Sequence, residues 1–434
     1  MQKLGVPELL SPAGSLKAMR YAFAYGADAV YAGQPRYSLR VRNNEFNKLE
    51  NIGEAILEAH QRSRKFYLAS NISPHNDKVR SYIRDLEPVV EMGPDALIMS
   101  DPGLIMLVRE RWPDLEIHLS VQANAVNWAT VKFWSNQGIK RIILSRELGL
   151  EEIEEIRNQC PEVELEVFVH GALCIAYSGR CLLSGYMNHR DPNQGACTNS
   201  CRWEYNVHDA KDTESGDIIA AQPKEVDPVL LQEKNRPGEY MPAYEDEHGT
   251  YIMNSKDLRA VQHVEKLTKM GIHSLKIEGR TKSHYYVART AQVYRKAIDH
   301  AIAGEAFDHN LMGELEHLAN RGYTEGFYRR HVPHDLQNYD KGFSTNPNQQ
   351  FVGEAIACHE STLEIDVKNY FEVGDRLELI TPRGNQSFLL EHIINKQGQL
   401  VTEAPGSGHV VRIPLPPKQD LPEDGGNALL MRHK

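Results

Sequence analysis

Glu164-Leu-Glu-Val-Phe-Val-His170 and Ser274-Leu-Lys-Ile-Glu278 decide the fold. In both, apolar and polar positions alternate with the two-residue period of a strand. Leu165, Val167 and Val169 fall on one side of the first stretch, with Glu166, Phe168 and His170 on the other. In the second, Leu275 and Ile277 oppose Ser274, Lys276 and Glu278. Ile117, Leu119 and Val121 stand against His118, Ser120 and Gln122 in the same way. In a closed barrel the apolar set meets an outer layer of helices and the polar set faces the interior. Such an interior is either a set of buried, mutually satisfied hydrogen bonds or a lumen that receives a polar substrate. The alternation alone leaves both open.

Working outward, candidate strands also lie at Pro7–Ser11, Asp28–Gly33, Phe66–Asn71, Asp95–Asp101, Glu116–Gln122 and Arg141–Arg146. Helix-period stretches such as Ser15–Gly26, Leu49–Arg64 and Val79–Met92 separate them. Lys282–Gly304 reads as a closing helix with Gly304 as its C-cap. Eight strands with intervening helices predict an α/β protein built on a TIM-like (β/α)8 barrel over residues 1–335. One connection is far too long: more than eighty residues lie between His170 and Ser255, so an insertion spans about 171–254. Long loops of this kind are usually functional, and this one leaves the barrel at the end where active sites lie. Residues 336–350, rich in Asn and Gln, read as a linker. From 351 to 434 short β-like runs punctuated by turns predict a small C-terminal all-β barrel. Its segment Phe371–Ile380 resembles the β-barrel domains of translation factors, which points to contact with RNA.

Composition narrows the class of function. Hydrophobic residues make up 41% and charged residues 25% of 434, ordinary for a globular enzyme. No apolar run approaches the roughly 20 residues that cross a bilayer. Met1–Pro12 lacks a secretory pattern, so a cytoplasmic protein without a membrane role is expected. There its six cysteines serve as ligands, catalysts or core residues rather than disulfides. A net charge of −10 argues against coating nucleic acid through bulk charge, but not against a local basic patch.

Four cysteines, Cys174, Cys181, Cys197 and Cys201, lie in the insertion with spacing C-x6-C-x15-C-x3-C. Four thiolates can complete tetrahedral zinc or a four-iron cluster. Structural zinc sites usually carry tight C-x-x-C knuckles, absent here, so the spacing favours an iron–sulfur cluster, with zinc as the alternative. Unligated buried thiols are the bland reading; Cys160 and Cys358 take that role. Arg180, Arg190, Arg202 and His170 surround the set, either balancing a cluster's charge, holding an anionic substrate or simply meeting solvent. The loop after the second strand carries Arg36, Arg40 and Arg42. These could grip carboxylates or phosphates, or form a solvated basic turn.

Glu166-Val-Phe-Val-His-Gly-Ala-Leu-Cys174, followed by Gly179-Arg-Cys181-Leu-Leu-Ser184, resembles the signature of the U32 peptidase (collagenase-like) family. Glu8-Leu-Leu-Ser-Pro-Ala-Gly-Ser15, Asp28-Ala-Val-Tyr-Ala-Gly33, the run from Asn193 to Tyr205 and Lys276-Ile-Glu-Gly-Arg280 resemble it too. The resemblance covers essentially the whole chain and is strongest to bacterial members that hydroxylate tRNA. It implies conversion of the wobble uridine to 5-hydroxyuridine, linked to prephenate and to iron–sulfur supply, without molecular oxygen. Other members hydroxylate a cytidine of ribosomal RNA or act in anaerobic ubiquinone synthesis with four-cysteine clusters. By the same resemblance Cys174, Cys181, Cys197 and Cys201 hold a cluster of the 4Fe–4S type. The implied partners are tRNA, a small anionic co-substrate and the iron–sulfur assembly machinery.

On this basis His170, Lys276 and Glu278 are expected at the barrel mouth, moving protons. Arg36, Arg40, Arg42, Arg202 and Arg280 are expected to hold an anion or the RNA backbone, with Arg329 and Arg330 leading into an RNA-contacting β domain. Two rival readings stand beside the enzyme. One is a collagenase-like peptidase, for which Cys174 with His170 is the sequence-close pair, although no His-Glu-x-x-His or Gly-x-Ser-x-Gly motif is present. The other is a non-catalytic, cluster-carrying RNA-binding partner.

Overall fold

The barrel closes on the two stretches quoted above. The computed structural model describes residues 5–39, 45–173, 177–178, 180–181, 191–194, 256–320, 322–329, 349–359, 361–417 and 421–434, with short strands between 210 and 250. Seven parallel strands come first: β1 (Glu8–Pro12), β2 (Ala29–Gly33), β3 (Lys65–Ser70), β4 (Ala96–Met99), β5 (Ile117–Leu119), β6 (Arg141–Ile143) and β7 (Glu164–Ala172). The insertion contributes small antiparallel ribbons, such as 229–232 with 240–243. The chain returns as β8 (Asp257–Arg259), antiparallel to the end of β7, and then β9 (Ser274–Ile277) shuts the barrel. Ser274 pairs with Glu8 on one side and Glu166 on the other, which makes the eight-stranded ring continuous.

Helices α1 (Leu16–Ala24), α2 (Leu49–Gln61), α3 (Asn76–Glu91), α4 (Pro102–Arg111), α5 (Trp128–Asn136) and α6 (Leu150–Gln159) alternate with the strands. α7 (Val264–Lys269), α8 (His284–Ala303) and α9 (Asn310–Glu316) follow. Their starts are set by local chemistry. Ser15, Asp101, Asn127 and Ser283 each accept a backbone N–H from the first helical turn. Gly304 ends α8 in the left-handed region at φ 74°, as its position predicts. Leu9, Val30, Phe66, Leu97, Ile117, Ile142, Leu165 and Leu275 are fully buried or nearly so. Each such side chain contributes about 1.5–3 kcal/mol by leaving water. Among the described residues, no helix is long and apolar enough to cross a membrane.

A short strand β10 (Tyr323–Thr324) extends the barrel sheet beside β8. The C-terminal part is antiparallel throughout: β11 (Gln349–His359), β12 (Thr362–Val367), β13 (Phe371–Glu372), β14 (Arg376–Thr381), β15 (Gly384–Leu389), β16 (Ile393–Asn395), β17 (Leu400–Val401), β18 (Glu403–Ala404), β19 (Val410–Pro414) and β20 (Leu429–His433). Eight of these form one sheet, ordered β15-β14-β20-β11-β12-β19-β16-β17, while β13 pairs with β18. Gln349 and Gln350, expected in the linker, already pair with His433 and Arg432, because a β-ladder partner outweighs their polar composition. The rest of the linker lies outside the described residues, as does Arg330.

The β domain docks on α1 and α8. Tyr25 donates its hydroxyl to the carbonyls of Ile380 and Asn427 at 2.9 and 3.0 Å. Gln292 donates to Thr381 O at 2.8 Å, and the Tyr285 and Phe351 rings stack 5.3 Å apart. Ile380, Leu429 and Met431 join the barrel's own apolar core, so the two parts share buried surface.

Candidate active site at the carboxyl end of the barrel

The polar interior expected from the alternation is present and layered. At the amino ends of the strands, Arg141 reaches Glu8 Oε1 at 2.6 Å, Glu164 Oε2 at 2.8 Å and Glu166 Oε2 at 3.6 Å. Tyr67 donates to Glu8 at 2.8 Å, and His118 Nε2 lies 2.9 Å from Glu116. Burial opposes the charge on Arg141, but Glu8 and Glu166 outweigh it and hold the guanidinium ionised. One layer higher, Lys276 donates to Glu166 Oε1 at 2.7 Å and sits 4.4 Å above the Tyr31 ring. Burial alone would raise the Glu166 carboxyl, yet Lys276 and Arg141 pull it below its usual range. Burial also draws the Lys276 ammonium down, against the attraction of Glu166. Below Lys276 the lumen is therefore a buried ionic network, in which Glu166 Oε2 and His118 Nδ1 make no hydrogen bond among the described residues.

Above Lys276 the character changes. Glu278 pairs with Arg146 at 3.2 Å, both side chains about a tenth exposed. The Arg146 guanidinium lies 3.7 Å above the Phe168 ring, while Tyr31 donates to Ile277 O at 3.0 Å. Arg280 donates to Leu39 O at 2.6 Å and lies 5.8 Å from the centroid of the same Tyr31 ring. Across the mouth Asn71 donates to Ser120 Oγ at 3.1 Å, and Ser100 donates to Asn71 O. Glu278 and Arg280 thus share one aromatic-floored, charged mouth, with Lys276 buried directly beneath it, a setting that can bind an anion and pass a proton.

His170 is the exception. Lys276 pairs with Phe168 but Ile277 pairs with His170, so Val169 is an extra residue, a β-bulge. The bulge inverts the side-chain alternation and turns His170 away from the mouth, under α8. Its ring packs against Tyr286, Tyr294 and Tyr323, and its Nδ1 lies 3.3 Å from the Tyr294 hydroxyl. Burial, with Lys282 and Arg259 nearby, pushes its pKa down to about 3. The expected grouping of His170 with Lys276 and Glu278 is corrected accordingly.

Arg36 follows β2 on the mouth side and is exposed, with Nη1 2.7 Å from Asp85 of α3. Arg40, Arg42, Arg202, Cys174, Cys197 and Cys201 lie outside the described residues. Cys181 is described: a half-buried free thiol whose carbonyl accepts from Asn193 Nδ2 at 3.1 Å. This part of the insertion lies over the mouth. Asn193 O accepts from Ser73 N at 3.0 Å, Gln194 O from Lys78 at 3.1 Å, and Ser178 O from Asn124 at 2.6 Å. Among the described residues no three His, Cys, Asp or Glu side chains gather as a metal site. Cys160 and Cys358 are buried and free, as expected.

Sequence reasoning missed Arg141, Arg146, Tyr31 and Tyr67. A signal existed for Arg141 and Glu8, since each opens an apolar strand on the inward side. Arg146 lies in a loop, and nothing in its neighbours marks it.

These features define a (β/α)8 barrel with a polar mouth, the described insertion residues around Cys181 and Asn193 packed beside it, and an antiparallel β domain docked at its flank. The chain matches Peptidase family U32 over residues 14–338 and the Peptidase family U32 C-terminal domain over 347–425. It belongs to the U32 peptidase family. It is 65% identical over 443 residues to tRNA hydroxylation protein P of Escherichia coli K12, covering 98% of this chain and 97% of that one. It is 60% identical to tRNA hydroxylation protein P of Haemophilus influenzae, covering 98% and 96%. Among solved structures, the U32 peptidase Mk0906 aligns with TM-score 0.39 and 14% identity, over 64% of this chain and 96% of that one.

Proposed function

We propose that this protein is a tRNA-modifying enzyme that hydroxylates C5 of the wobble uridine, giving 5-hydroxyuridine. The observation that carries the reading is the 65% identity, over nearly the full length of both chains, to a tRNA hydroxylation protein. Prephenate is the co-substrate in this reading, and the reaction needs no molecular oxygen. An enzyme of this kind works in the cytoplasm, where tRNA and the iron–sulfur assembly machinery are found.

In this reading the cysteines hold a four-iron cluster; the described one, Cys181, is a free, half-buried thiol beside the mouth. Cys174, Cys181, Cys197 and Cys201 would hold it, and when bound it would supply redox chemistry or activate the oxygen donor. The chain's own groups do the rest. Arg146 and Arg280 orient an anionic co-substrate above Tyr31 and Phe168. Lys276 and Glu278 hold or move protons at Nζ and Oε2. The network under Lys276 excludes water from below.

The peptidase reading asks for a thiolate beside a histidine base. His170 is enclosed by tyrosines and disfavours a proton, which suits it poorly to that role.

The test is mass spectrometry of tRNA nucleosides from cells lacking the gene, complemented with wild type, Cys174→Ser or Cys181→Ser. Loss of 5-hydroxyuridine derivatives, restored by wild type alone, is expected. Unchanged modification in the deletion strain, grown with and without oxygen, overturns the assignment.

A further inference from the structure

An acidic chain that acts on tRNA must meet the polyanion on a local basic surface. We propose that Arg36, Lys78, Arg80 and Arg84, on the loop after β2 and the first nine residues of α3, form the landing surface for the RNA phosphodiester backbone. This rests on the tRNA reading given above.

Three observations carry it. The first is position. α3 begins at the mouth end of the barrel, and Lys78 donates to Gln194 O at 3.1 Å, so the surface adjoins the loop that carries Cys181. The second is the polarity of the helix. The buried residues Tyr82, Leu86 and Val89 face the barrel, which leaves Arg80, Arg84, Glu87 and Glu91 along the opposite stripe. The basic pair lies toward the mouth, and the acidic pair occupies the last turns. A helix end with negative partial charge disfavours carboxylates, so helix stability does not account for this order. The third is Arg36, a non-glycine residue in the left-handed region at φ 65°, held by Asp85 at 2.7 Å. Such a conformation costs on the order of 1 kcal/mol and persists where the surroundings impose it.

The carboxylates here are Asp77, Asp85 and Asp191. Asp85 bridges Arg36 and Arg84, fixing both guanidinium groups at one level of the helix. Among the described residues Arg80 makes no ion pair, and its exposed guanidinium is available to a phosphate. Arg80 and Arg84 are one helical turn apart, and arginine matches phosphate oxygens in a planar fork.

The test is tRNA affinity of the full-length protein by fluorescence anisotropy over about 50–300 mM salt. Arg80→Glu/Arg84→Glu is expected to weaken binding roughly tenfold or more and to lower the salt slope by about 2. Arg80→Gln/Arg84→Gln should fall between it and wild type. Lys269→Glu, a single charge reversal at an exposed site on α7, should match wild type. Thermal melts identify a folding defect, and in that event the glutamine pair carries the comparison. A salt-dependent wild type with an unaffected double variant overturns the surface alone. That is also the outcome if the patch serves an acidic protein instead. A wild type with no affinity for tRNA overturns the tRNA reading and this surface with it.

Discussion

Lys276 Nζ lies 2.7 Å from Glu166 Oε1 in the middle of the barrel, and Arg141 stands 3.6 Å from the other oxygen of the same carboxylate. Neither Lys276 nor Glu166 meets solvent to any useful degree. The two are unequal in what they leave behind. Without Lys276, Glu166 retains Arg141. Without Glu166, Lys276 is an ammonium buried against the Tyr31 and Phe168 rings. Glu166→Leu is therefore expected to destabilise by about 3–5 kcal/mol, and Lys276→Met by less. The double variant should recover at least about 1 kcal/mol of the summed loss. Urea unfolding of the four proteins measures this; strictly additive losses would show that the pair is not coupled.

His170 supplies a pH signature. Its native pKa is about 3 against an ordinary 6.5, so between those values the unfolded chain binds a proton that the native one refuses. Stability is then greater at high pH and falls as pH drops through the window from 6.5 toward 3. The slope from this residue is about 1.4 kcal/mol per pH unit. His118, His263, His273 and His317 are also lowered by burial, so the comparison must be differential. His170→Phe should flatten the loss of stability between pH 6 and pH 4 relative to wild type. Parallel profiles for the two proteins would show that His170 ionises freely in the native state.

The barrel was legible because its strands are apolar runs of fixed period separated by helical ones, a pattern that burial on both faces imposes. The inward set at His118, Glu166 and Lys276 followed from the same period. His170 did not, because one extra residue at Val169 changes the pleat without changing the composition. The ion pairs of Arg141 with Glu8 and of Arg146 with Glu278 join residues more than 130 positions apart. No local pattern records such a pairing. The start of β11 was missed for a related reason: Gln349 is held by its ladder to β20 and by Glu378 at 2.8 Å, not by its own propensity.

Cys181 offers a direct test of the cluster. Protein purified without oxygen should carry about four iron atoms per chain with visible thiolate-to-iron absorption. Cys181→Ser should lose most of the iron while keeping the wild-type circular dichroism, since its thiol is only half buried. Stoichiometric zinc in place of iron, removed by the same substitution, would favour the alternative metal.

The joint between barrel and β domain turns on Glu354. One carboxylate oxygen lies 2.5 Å from Lys17 and 3.3 Å from Lys368, the other 3.0 Å from His284. Burial pushes this carboxyl up, but the adjacent His284 and the hydrogen bond from Lys17 overcome it and hold it well below the usual range. A depressed carboxylate stabilises above its ordinary pKa and loses that contribution as pH falls below it. Lys17 belongs to α1, His284 to α8 and Glu354 to β11, so the contribution is one of docking rather than of either part alone. Glu354→Gln keeps the shape and removes the charge. At pH 7 it should cost about 1.5–3 kcal/mol, the range for hydrogen bonds to a charged group. In wild type the same contribution disappears as pH falls below 4.5, so the two stability curves should converge in acid. A gap that stays constant down to pH 3 would mean that the substitution acts through packing, and that the charge of Glu354 does not hold the domains together.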